Sequence, residues 1–73
     1  MSTLAERLAQ AMEIRGMKAA ELSRLSGVPA GKISMIVNGK TLDPRGGCLA
    51  DMGKVLNVSL DWLIAGDESK APR

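Results

Sequence analysis

Apolar residues recur along this chain at three- and four-residue spacing in five short runs, the period of helices that bury one side. Leu4, Leu8, Ala11 and Met12 mark the first, which the pattern places over Thr3 to Arg15. Its opening, Thr3-Leu4-Ala5-Glu6, has the form of a capping box, in which hydroxyl and carboxylate satisfy free N–H groups reciprocally. Gly16 stands where a helix commonly stops. A second helix is predicted over about Lys18 to Leu25, with Leu22 and Leu25 as its apolar side. Lys18 cannot cap it as Ser, Thr or Asp would, which costs roughly 0.5–2 kcal/mol. Ser26-Gly27 makes a tight turn, and Pro29 suits the first position of a third helix running to Val37. Ile33, Ile36 and Val37 form its apolar side, and the small Ser23 lets the second and third helices cross closely. Asn38-Gly39 ends it, with Asn38 expected in left-handed backbone.

Lys40 to Gly47 reads as an irregular linker by its Pro and Gly content, and Gly46-Gly47 is expected to make it mobile. A fourth helix follows over about Gly47 to Leu56, with Leu49, Met52, Val55 and Leu56 inward and Asn57 closing it. Ser59 is a good N-cap for a short fifth helix, Leu60 to Ala65, with Asp61 near its positive end and Gly66 as its stop. Residues 1–66 therefore form one domain, and 67–73 is expected to be a frayed polar tail.

Composition sharpens this to an all-α fold. Seventy-three residues support one small core, and with no Phe, no Tyr and one Trp that core must be aliphatic. The β-branched and aromatic runs of a sandwich are missing. One Cys excludes an intramolecular disulfide, and the absence of His argues against structural zinc and against Ser/His or Cys/His catalysis. No phosphate loop is present, so neither an enzyme nor a cofactor is expected. Cys48, near the positive end of the fourth helix, reads either as a redox-sensitive thiol or as a small half-buried apolar residue. Trp62 reads either as a dimer anchor or as the ring that closes the core. The apolar stretches are too short to span a bilayer, and Glu6 and Arg7 stand where a signal peptide would be apolar, which implies a cytoplasmic protein without membrane contact.

The formal charge of +2 says little by itself. Its distribution says more. Lys32, Lys40 and Arg45 fall in or just after the third helix, while Glu6, Glu13, Asp61, Asp67 and Glu68 lie towards the chain ends. Such segregation can turn a basic face towards phosphates, against the plainer reading of a mixed solvated surface.

The ordered set Arg15-Gly16-Met17, Ala20-Glu21-Leu22-Ser23, Leu25-Ser26-Gly27-Val28, Ile33-Ser34, Asn38-Gly39-Lys40 and Leu56-Asn57-Val58-Ser59-Leu60-Asp61-Trp62-Leu63 resembles the Cro/C1-type helix-turn-helix family of phage repressors and small bacterial regulators. The match runs from about Leu4 to Gly66. It implies a compact five-helix, lambda-repressor-like DNA-binding domain whose third helix enters the major groove. The resemblance makes Ala30, Gly31, Lys32, Ser34 and Met35 the base-reading candidates. It makes Asn38 and Lys40 backbone contacts, with Lys18 and Ala19 at the start of the second helix as further ones. Arg45 is a further backbone candidate, and it matches a basic position that approaches the minor groove in some relatives.

Three departures from the family pattern alter what is expected. Ala19 and Ala30 stand where Gln is common, so a phosphate contact and a bidentate adenine contact are lost. Ala30 or Met35 can still meet a thymine methyl, and Lys32 can reach guanine O6 or N7, a phosphate, or only solvent; its position is expected to face away from Ile33 and Ile36. Met12 and Val37 stand where relatives hold a buried Arg–Glu pair, which implies apolar packing between them. Gly46-Gly47 replaces a better helix start.

The resulting expectation is a sequence-specific transcriptional regulator, a repressor, binding a pseudo-palindromic operator in double-stranded DNA as a homodimer, in the bacterial nucleoid or a phage-infected cell. With no second domain in these residues, regulation is expected from protein level, dimerisation or a separate partner. The alternative is a helix-turn-helix scaffold that docks on another protein, as an antitoxin-like or phage-encoded regulator partner; the two missing Gln residues and the apolar Met35 favour it.

Overall fold

The computed structural model describes residues 3–40 and 46–72. Helices α1 (Leu4–Arg15), α2 (Ala19–Ser26), α3 (Ala30–Val37), α4 (Gly46–Leu56) and α5 (Leu60–Ala65) follow in order, then a 3-10 turn over Glu68–Lys70. No strand occurs among the described residues. Each helix end lies within one residue of the position that its sequence signals indicate.

Those signals act through specific hydrogen bonds. Thr3 Oγ1 accepts from the Glu6 N–H at 3.2 Å, while the Thr3 hydroxyl faces Glu6 Oε1 at 3.4 Å. Gly16, at φ 67°, closes α1, and the Met17 N–H then reaches Met12 O at 2.9 Å. Lys18 provides no side-chain cap to α2, as its chemistry requires. Ser59 Oγ accepts from the Asp61 N–H at 3.2 Å at the start of α5. Asn57, at φ 55°, closes α4 and lets the Val58 N–H reach Gly53 O at 3.0 Å.

Four expectations are corrected. Asn38 lies at φ −85°, and Gly39 takes the left-handed position at φ 73° instead. Glycine has no Cβ to clash there, so it supplies the geometry at lower cost than Asn. Pro29 is the residue before α3 rather than its first helical one, with its carbonyl accepting from the Lys32 and Ile33 N–H groups. Gly46 and Gly47 form the first turn of α4; residues 41–45 of the expected linker lie outside the described ones. Leu25 is 49% exposed, and Val28, just beyond the Gly27 turn, fills the core at 3%. The chain reverses between them, so the residue after the turn points back at the bundle when the one before it does not.

The core is aliphatic apart from one ring. Leu8, Ala11 and Met12 of α1 pack with Leu22, Ile33, Ile36, Leu49, Met52, Leu56 and Leu63. Trp62 is 2% exposed and closes this core, which leaves it no surface with which to anchor a dimer. Val37 packs against the cluster that contains Met12, so this corner is apolar. Cys48 is half-buried against the same cluster, as a small apolar residue would be.

Two arginines of α1 hold the other end of the chain. Arg7, only 7% exposed, donates from Nε to Leu63 O at 2.9 Å and from Nη2 to Ile64 O at 3.1 Å. Arg15 donates from Nε to Leu56 O at 2.7 Å and from Nη2 to Asn57 O at 3.2 Å. The last carbonyls of a helix have no partner within it, and a guanidinium both satisfies them and complements the negative helix end. Gly66 is fitted to this arrangement. Its φ is 77°, and a Cβ there would lie 3.1 Å from Arg7 Nη1.

Polar groups of residues 67–70, part of the expected tail, pair with one another and with α5. Asp67 Oδ1 accepts from the Ser69 N–H at 3.1 Å and its hydroxyl at 2.6 Å. Lys70 pairs with Asp61 at 2.6 Å, and Ala71 packs against the core. The Ser69 hydroxyl and amide hold the Asp67 carboxyl below its usual range, and the Asp61 carboxylate raises the Lys70 ammonium above its own.

Two outcomes follow for stability. Arg7→Ala strands buried carbonyls and should cost about 3 kcal/mol, seen as a fall of roughly 10–20 °C in the thermal midpoint. The Asp67 contribution is present above the unfolded carboxyl's pKa and lost as pH falls through the lower folded value. Ala71 amide signals should therefore shift on acidification below about pH 4 while the core signals persist; a turn insensitive to pH there would contradict the assigned hydrogen bonds.

Candidate nucleic-acid interface

Successive helical residues turn by about 100°, so burying Ile33 and Ile36 fixes what α3 presents outward. Gly31, Ser34 and Asn38 lie opposite the buried pair, with Ala30 and Met35 on either flank, and all five are exposed. Met35 is 49% exposed, the largest apolar side chain on this face. A Cβ at Gly31 would meet nothing within 4 Å, so the middle of the face is open.

Lys32 does not face away from the core. It precedes Ile36 by four residues, which places both on one stripe of the helix, and it is half-buried. A half-buried lysine keeps its ammonium at the rim while its stem covers apolar surface. Lys32 thus belongs to the edge of the face and Ser34 to its centre.

Ser34 and Asn38 are also joined: Asn38 Nδ2 donates to Ser34 Oγ at 3.3 Å. The Asn38 backbone is fixed beneath this contact, because its N–H donates to Ser34 O at 3.0 Å and the Gly39 turn follows. Lys40, exposed just after the turn, is set by its own N–H on Met35 O at 2.9 Å.

The remaining candidates are less concentrated. Lys18 is exposed at the uncapped start of α2, whereas Ala19 is half-buried against the core. Arg45 lies outside the described residues. Arg24, exposed in the last turn of α2, was not singled out by its own sequence context. The signal for it is a longer one. From Leu22 to Lys40 there is no acidic residue, while Arg24, Lys32 and Lys40 are all basic.

The helix-turn-helix family profile matches residues 8–63 of this chain. The chain belongs to the helix-turn-helix family. It is 36% identical over 67 residues to HTH-type transcriptional regulators for the conjugative elements R391 of Providencia rettgeri and SXT of Vibrio cholerae. A third such regulator, for the element pMERPH of Shewanella putrefaciens, matches equally. These matches take in 92% of this chain but 30% of each relative, so the chain spans under a third of their length. Among solved structures, it is similar to the P22 c2 repressor protein crystallised in complex with synthetic operator 9T, with a TM-score of 0.82 and 28% identity. That likeness covers 92% of this chain and 100% of the repressor chain. The five-helix, lambda-repressor-like architecture is therefore that of a Cro/C1-type helix-turn-helix domain. No helix of the described residues is long and apolar enough to cross a membrane.

Because Gly39 and not Asn38 carries the left-handed turn, the two positions should differ in stability. Gly39→Ala should cost about 1 kcal/mol in urea unfolding, and Asn38→Ala under about 0.5 kcal/mol. Equal losses at both would show that Asn38 is needed to end α3.

Proposed function

We propose that this chain binds double-stranded DNA as a sequence-specific transcriptional regulator, acting as a repressor and as a homodimer on a pseudo-palindromic operator. The observation that carries the reading is the outward face of α3: five exposed residues without an acid among them, bordered by Lys32 and Lys40. The likeness to a repressor solved on its operator supports it. So does the kinship with transcriptional regulators.

In this reading α3 lies in the major groove, with its short first-turn residues Ala30 and Gly31 allowing a close approach to the bases. Ser34 reaches a base edge, and Met35 or Ala30 meets a thymine methyl. Lys32, at the rim, Lys40 and Lys18 contact phosphates, as does Arg45 from the segment before α4. Asn38 stands between the two groups. At Ala19 a phosphate meets the backbone of the uncapped start of α2, where a helix N-terminus favours an anion. One such helix reads few base pairs, so two copies on half-sites about one helical turn apart give useful discrimination. The protein acts in the cytoplasm as a binding module and not as an enzyme.

A second reading has its own observation. Met35 and Leu25 are both 49% exposed on the helix-turn-helix unit, as a surface for another protein would require. Ionic strength separates the two. DNA binding by the first reading should weaken steeply with salt, and Lys40→Ala or Lys32→Ala should each reduce the slope of log affinity against log salt by about 1, equally for all sequences. Selection from random duplexes should yield a two-fold symmetric site. Binding that is insensitive to salt, or that shows no preferred site, would rule out the repressor reading and leave the protein-docking one.

A further inference from the structure

A glycine within a helix costs stability relative to alanine, so each one calls for a physical reason. Among the glycines whose surroundings are described, Gly16, Gly27, Gly39 and Gly66 have theirs in the backbone, at φ between 67° and 80°. Gly53 has its reason in packing, because a Cβ there would press on Leu60 Cδ2 at 3.2 Å where α4 meets α5. Gly31 has neither. It lies in the first turn of α3 without a positive φ, and a Cβ on it would meet nothing within 4 Å beyond its own turn of helix. The fold gives up stability at Gly31 without return, which is the pattern of a position shaped for a partner.

Its place on the helix says which partner group comes near. Gly31 opens the exposed line of Gly31, Ser34 and Asn38 that runs opposite the buried Ile33 and Ile36. In a helix-turn-helix, the N-terminal residues of the second helix are those that meet base edges. A missing Cβ leaves room for one methyl against an apolar Cα, with no side-chain donor or acceptor beside it. Of the groups that base pairs present in the major groove, the thymine C5-methyl is the apolar one.

We propose that Gly31 is a specificity-determining residue: the space its Cβ would fill takes a thymine C5-methyl, so that this turn of α3 reads a base by leaving room for it. The inference rests on the DNA-binding reading and deepens it by naming one base in each half-site. It differs from a side chain touching a methyl, as at Ala30 or Met35, because bulk added here helps the fold and harms binding.

Site selection from random duplex DNA, run on the full chain, should yield a thymine at one symmetric pair of positions that Gly31→Ala no longer selects. Gly31→Ala should raise the thermal midpoint by about 2–8 °C. Its binding to the site chosen by the unaltered chain should weaken about tenfold or more. Uracil keeps the hydrogen-bonding edge of thymine without the methyl, so placing it at that pair of positions offsets the added Cβ. Gly31→Ala should then bind to within about threefold of the unaltered chain, and uracil at the other thymines should not restore it. Full affinity of Gly31→Ala for the selected site overturns the proposal, as does a loss equal on all sequences that uracil rescues nowhere. A lowered thermal midpoint would show that the fold itself needs this glycine, and overturns it too. Failure of the unaltered chain to select any site overturns the DNA reading itself, a result distinct from these.

Discussion

The last carbonyls of α4 and α5 need hydrogen-bond donors that those helices cannot supply, and most of the architecture depends on where they come from. Arg7 and Arg15 of α1 supply them, at Leu63 and Ile64 and at Leu56 and Asn57. The chain is short, so its core alone is a modest source of stability. Tying the first helix to the ends of the last two converts local sequence elements into a closed bundle. It also accounts for a glycine at position 66. The turn after α5 runs against the Arg7 guanidinium, where the positive φ suits glycine and a Cβ would press on Arg7 Nη1 at 3.1 Å.

Closure of that bundle in turn dictates the outward face of α3. The helix makes only about two turns, so committing Ile33 and Ile36 to the core leaves no freedom about what lies opposite. The same helical phase that brings Ser34, Gly31 and Asn38 to the middle sends Lys32 to the edge. A charge at the rim and a hydroxyl at the centre suit different work. A flexible ammonium follows phosphates whatever the sequence, while a short side chain on a rigid helix is held near one place.

The parts of the fold legible in the sequence are those fixed by neighbours in the chain. Helix ends follow from Thr3, Gly16, Gly27, Asn57, Ser59 and Gly66, because each acts on backbone within a few residues of itself. What was not legible needed partners far along the chain. Arg7 and Arg15 look like ordinary polar positions of an amphipathic helix, since the carbonyls they bind carry no side-chain signature. Leu25 and Val28 exchange roles because the turn between them decides which points inward, and periodicity does not extend across a turn. Asn38 and Gly39 are adjacent residues that can both adopt left-handed backbone, and only their relative cost decides between them. The segment after Gly66 reads as polar and loose, yet Asp67, Ser69 and Lys70 satisfy one another and Asp61. On the site itself, spacing alone already contained the correction to Lys32, since a residue four before a buried isoleucine shares its stripe.

The thinness of the α3 face has an energetic consequence under the proposed reading. With the short Ala30 and Gly31 in the first turn of α3, few direct base contacts are available, and affinity must come mostly from phosphates. Phosphate contacts raise binding to every sequence alike, so they cannot by themselves separate an operator from other DNA. Discrimination then rests on the small number of groups whose geometry is fixed before contact. A single hydrogen bond is worth about 1 kcal/mol net, about a fivefold preference, and a two-fold symmetric site squares it. A single short polar side chain held on a rigid helix is therefore more consequential here than on a face crowded with polar side chains, where one lost contact would be outweighed by its neighbours.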